Sequence, residues 1–170
     1  AHMGDHLARA WPAFDRARFK TQALDGLEAL ELKARAQHLC AALEQTLPGD
    51  FAEAASVMEA ALAPADPGSD AVPRIGPAGL AGWALWPMTE YVARHGLDTP
   101  ERALQSLHTM TQRFTAEWAV RPYLLQHPAL TFEHLQRWVR DPSPHVRRWV
   151  SEGTRPRLPW GLVLKPLVDD

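Results

Sequence analysis

Leu24, Leu27, Leu30, Leu39 and Leu43 recur at helical spacings through an alanine- and leucine-rich segment. They predict one or two helices between about residues 15 and 47. Phe51, Ala55, Met58 and Leu62 predict another. Residues 64–79, "PADPGSDAVPRIGPAG", then break the pattern and read as a long loop or hinge. Beyond it Leu80, Trp83, Tyr91 and Val92 return to helical spacing, with Pro87 placed to start or kink a helix and Gly96 to stop one. "TPER" puts Thr99 at an N-cap and Pro100 at the first helical position. Leu104, Leu107, Met110 and Phe114 continue that helix. In "LTFEHLQRWV" Thr131 is the expected cap, with Phe132, Leu135 and Val139 on one face. "DPSPHV" repeats the start signal, Ser143 as cap and Pro144 in the first turn, and Gly153 closes the helix. Sustained polar–apolar alternation is absent, so strands are not expected.

Short helices restarting every ~10–20 residues predict an all-α chain of stacked helical pairs, a HEAT-like solenoid or α-α superhelix. A compact helical bundle is the alternative. The expected organisation is a cloning scar at 1–4 ("AHMG"), N-terminal helices over 5–63, the Pro/Gly-rich loop at 64–79, and HEAT-like repeats from 80 to 170 that continue beyond this chain.

Composition narrows the function classes. The chain has 170 residues and an apolar fraction of 46%. No apolar run approaches the ~18 residues of a membrane span, and there is no secretory core. The single cysteine, Cys40, forms no internal disulfide and favours a reducing, cytoplasmic setting. The histidines are scattered without metal-ligand spacing, so no metal is expected. "GPAGLAG" lacks the lysine and preceding strand of a phosphate loop.

Charge changes the picture more. Residues 113–165 hold nine Lys/Arg against four Asp/Glu, a balance of +5, although the whole chain carries −2. Eight of those nine are arginines, the residue suited to bidentate phosphate contacts. "HVRRWVSEGTRPRLPW" (145–160) gathers four of them around one carboxylate, Glu152. Two readings stand side by side. Glu152 in a last helical turn opposes the helix dipole, and Arg148 or Arg155 can pair with it. Glu117 faces the same choice with Arg121 four residues on. Trp160, on a stiff "LPWG" turn, either covers the core's end or offers an exposed aromatic face.

"WPMTEYVARHGL", "FTAEWAVRPYL", "HPALTF" and "DPSPHVRRWVSEGTRPRLPWG" together resemble the AlkC branch of the HEAT-like-repeat alkylbase DNA glycosylases. The likeness is densest in "VRRWVSEGTRPRLPWG", spans about 80–168, and is looser over the N-terminal helices. It implies a cytoplasmic, bacterial DNA-repair enzyme that excises cationic N3-alkylated bases such as 3-methyladenine from duplex DNA without flipping the base into a pocket. It implies Glu117 and Glu152 as active-site carboxylates, Trp160 as the aromatic residue lining the site, and Arg147, Arg148, Arg155 and Arg157 on the DNA-facing edge. Alkylated double-stranded DNA is then the partner, and neither cofactor nor membrane is implied. Family members run to about twice this length, which makes the chain an N-terminal half with an end prone to self-association. The alternative is a non-catalytic helical-repeat scaffold binding DNA or protein, in which both glutamates are structural.

Overall fold

A computed structural model describes residues 2–65, 69–71 and 74–168. Among them the regular structure is helical: α1 (His2–Ala10), α2 (Arg16–Leu24), α3 (Leu32–Glu44), α4 (Phe51–Ala60), α5 (Trp86–His95), α6 (Pro100–Thr111), α7 (Arg121–Gln126), α8 (Pro128–Trp138) and α9 (Pro144–Gly153). Short 3-10 turns occupy Leu27–Ala29, Gly82–Leu85 and Lys165–Leu167. None of the described helices is long and apolar enough to cross a membrane.

Helix starts follow two chemistries. In the N-terminal part, Asp15 and Asp50 accept hydrogen bonds from the amides of Arg18 and Glu53, satisfying amides that have no partner inside the helix. From α5 to α9 a proline occupies the first turn, where its missing N–H costs nothing. This corrects the cap expected at Thr131. Helix α8 begins at Pro128, and Thr131 is buried within it, donating from Oγ1 to the His127 carbonyl at 2.8 Å. Thr99 and Ser143 do stand at N-cap positions, but neither side chain makes a capping bond. Ahead of α9 it is Asp141 that shapes the turn, its Oδ1 accepting from the Ser143 amide at 2.8 Å.

Neighbouring helices pack in succession. Helix α1 lies on α2 and α4, α3 on α5, α5 on α6, and α6 on α8 and α9, giving the stack of a helical-repeat fold. One core runs from Leu7 and Leu43 through Met88, Leu104 and Met110 to Tyr123, Trp149 and Leu164. The Pro/Gly-rich connection is not a free hinge at its ends. Ala63 donates to Leu80 and Leu80 to Ala61 across them, at 2.9 and 2.8 Å. Glycine is required at position 79, since a Cβ there would lie 2.3 Å from the Ala63 nitrogen.

Residues 2–4, read as a scar, form the first turn of α1, and Gly4 is buried against the Phe19 ring. Leu24 is 54% exposed and, with Leu27, Leu32, Leu39 and Trp83, lines an apolar groove of about 600 Å³ beside α1.

Candidate active site

The turn leading into α7 meets the C-terminal end of α9 at Gly153. A Cβ on Gly153 would lie 2.7 Å from Val120 Cγ1 and 3.8 Å from the Glu117 carbonyl oxygen, so only glycine lets α9 approach this closely. That contact brings the two carboxylates into one electrostatic neighbourhood. Glu117, between the core residues Ala116 and Val120, is 5% exposed, and its Oε2 has no hydrogen-bond partner among the described residues. Burial pushes its pKa up, and the negative charge of Glu152 pushes the same way. Arg148 and Arg155 act in the opposite direction.

Glu152 is half-buried in the last turn of α9. Its Oε2 pairs with Arg148 Nη2 at 2.9 Å, and its Oε1 lies 3.9 Å from Arg155 Nη2. The ion pair expected for Glu152 is therefore present. The one expected between Glu117 and Arg121 is not. Arg121 is fully buried and turns away, donating instead to the carbonyls of Gly153, Arg155, Pro156 and Leu162.

The remaining candidates are placed unequally. Arg147 is exposed, but its guanidinium is engaged at the start of α9, donating to the Asp141 and Pro142 carbonyls. Arg157 is exposed on the loop after α9 and forms no ion pair among the described residues. Trp160 does not cover the core. It is 58% exposed, with ring centroids 6.0 Å from Trp86 and 6.4 Å from Trp118, which themselves stack at 4.8 Å. Trp118 follows Glu117 in the chain. No group of three or more His, Cys, Asp or Glu side chains among the described residues could hold a metal ion.

Sequence reasoning missed Trp86, Trp118 and Arg121. The tryptophans could have been suspected from an unusual total of seven in 170 residues. Arg121 gave no signal of its own, because its partners are backbone carbonyls more than thirty residues away.

Glu117 carries a stability consequence. Its folded pKa lies above the unfolded value, so between the two the native state holds more protons than the unfolded chain. Stability then falls as pH rises through that window, and at neutral pH the ionised carboxylate destabilises the fold. Glu117→Gln is accordingly expected to stabilise by about 1 kcal/mol and to raise Tm by roughly 2–4 °C at pH 7. A melt showing a lowered Tm would mean that the carboxylate contributes a favourable contact.

The described residues form an all-helical repeat fold that carries two carboxylates edged by arginines and, on the following loop, an exposed tryptophan. Among solved structures it is similar to AlkC, the alkylpurine DNA glycosylase of Pseudomonas fluorescens, bound to DNA containing an abasic site analog. The TM-score is 0.82 at 30% identity, covering 99% of this chain and 43% of that one. Among curated proteins it is 35% identical over 166 residues to YhaZ, an uncharacterized protein of Bacillus subtilis strain 168, covering 97% of this chain and 42% of YhaZ. No protein-family model matches. The chain spans less than half the length of both relatives. The AlkC-type likeness read from the motifs holds, and it extends over the N-terminal helices as well as residues 80–168.

Proposed function

We propose that the protein is a DNA glycosylase of the AlkC type, acting in the cytoplasm on cationic N3-alkylated bases such as 3-methyladenine in duplex DNA, without base flipping. One observation carries this reading beyond overall likeness: a buried, unpartnered Glu117 oxygen beside Glu152, on a face edged by Arg148 and Arg155.

Alkylation at N3 leaves the base positively charged, so it departs without an acid to protonate it. The electron pair of the glycosidic bond leaves with the base and discharges it, while C1′ becomes oxocarbenium-like. That is the demand glycosidases meet with carboxylates. Glu117 and Glu152, ionised, stabilise the sugar cation, and one of them takes the proton of the water that attacks C1′. The products are a neutral base and an abasic sugar. Trp160 offers its ring face to the sugar or the cationic base. A normal neutral base is a poor leaving group and is left in place, so selection rests on charge rather than on extrusion into a pocket.

The arginines hold the duplex by its phosphates. In the unbound protein Arg148 is occupied by Glu152. A phosphate that draws Arg148 away would leave Glu152 free to face C1′. The test is incubation with a duplex carrying a single 3-methyladenine-type base. Free base and an abasic strand are expected. Tight binding with no base released would favour the scaffold reading.

A further inference from the structure

The loop from Thr154 to Leu164 carries Arg155, Arg157 and Trp160, yet it contains no helix. Side chains from elsewhere hold it by its carbonyls. Arg121 Nη1 donates to Gly153 and Arg155 at 3.0 and 2.8 Å, Nη2 to Pro156 at 3.0 Å, and Nε to Leu162. Trp118 Nε1 donates to the Pro159 carbonyl at 2.9 Å. Lys33, at the start of α3 and 127 residues away in sequence, donates from Nζ to the carbonyl of Trp160 itself at 2.9 Å.

Arg121 is 0% exposed and makes no ion pair with a carboxylate among the described residues. A buried cation is tolerated only when its donors are satisfied, and here backbone oxygens satisfy them. A planar fork reaches four carbonyls at once, which a lysine ammonium on a flexible stem cannot do. The loop lies directly on this side chain, since a Cβ on Gly161 would be 3.1 Å from Arg121 Cδ. Trp160 has φ +61°, the sole positive φ of a non-glycine residue among those described. A residue with a Cβ disfavours that conformation, and surrounding contacts have to hold it there.

We infer that Arg121 and Lys33 are positioning residues for Trp160: Arg121 fixes the body of the loop, and Lys33 brings from helix α3 the bond that holds the Trp160 backbone with its indole exposed. The segment before the Pro/Gly-rich connection thereby acquires a part in the site. Its bearing on catalysis rests on the role proposed above for Trp160; its bearing on the conformation of Trp160 does not.

The experiment uses protein labelled with 5-fluorotryptophan, with the Trp160 resonance assigned by its loss in Trp160→Phe. Lys33 is exposed, so Lys33→Met is expected to fold and melt as the parent does. It should shift or broaden the Trp160 fluorine resonance and slow single-turnover base release at saturating protein by about tenfold, the scale of a small misplacement of a reacting group. Lys33→Arg should restore both readouts. Arg121→Lys, which keeps the charge and loses the fork, should disturb the same resonance more strongly. An unchanged Trp160 resonance in Lys33→Met would overturn the inference, and a moved resonance with an unchanged release rate in an active parent would overturn its bearing on catalysis. A resonance that moves in a protein whose parent releases no base leaves the positioning intact and removes the glycosylase reading instead.

Discussion

Glu117→Gln and Glu152→Gln are each expected to slow release of a cationic base by about 10²-fold, or roughly 2.7 kcal/mol, the order lost when one preorganised electrostatic group is removed. Glutamine keeps the shape and deletes the charge that would face the sugar cation. DNA binding should survive both changes, because removing an anion cannot weaken attraction to phosphate. The two variants should differ in one respect. Burial and the neighbouring Glu152 raise the Glu117 pKa, so the parent's rate should fall as pH drops through a value above the ordinary glutamate range of about 4.3. Glu117→Gln should lose that limb of the profile. Single-turnover release across pH, beside a binding titration, checks both parts. Equal rates in parent and variants would return Glu152 to its ion pair with Arg148 and make Glu117 a burial accident.

The second large effect concerns the basic edge. Replacing Arg148, Arg155 and Arg157 together with alanine should weaken duplex binding by about 10²-fold and flatten the dependence of log affinity on log salt by roughly 2 to 3. Arg147 is left out because its guanidinium is held by the Asp141 and Pro142 carbonyls. Within the triple, Arg157 alone starts free of a carboxylate among the described residues, so its single variant should account for much of the change. Arg148→Ala should also raise the Glu117 pKa further, since Arg148 is among the charges holding it down. Binding titrations at several salt concentrations decide the matter. A triple variant with the parent's affinity and slope would place the DNA elsewhere.

Much of the fold was legible because proline announces helix starts and leucine spacing announces faces. Helices α5, α6 and α9 begin where Pro87, Pro100 and Pro144 suggest. The same rule applied to Pro128 would have placed α8 correctly; Thr131 misled because a threonine can bond backward within a helix as well as cap one. The exposure of Leu24 was not legible from its spacing. Periodicity identifies a face, and only packing decides whether a neighbour covers it.

The site was legible in part. Local spacing pointed to the Glu152–Arg148 pair, because four residues on a helix bring side chains together. The same logic failed for Glu117 and Arg121. Arg121 begins α7 while Glu117 lies in the turn before it, so the two do not share a helical face. The burial of Glu117, the stacking of Trp86, Trp118 and Trp160, and the bond from Lys33 are long-range contacts that no local pattern encodes.

The central claim is that charge on the leaving base, and carboxylates facing the sugar, replace acid catalysis and extrusion. The most direct measurement is single-turnover release from two otherwise identical duplexes, one carrying 3-methyladenine and the other a neutral lesion such as hypoxanthine. Release of the cationic base, with the neutral one left in place, is the predicted result. Comparable release of both, or binding of the cationic lesion without its release, would contradict it.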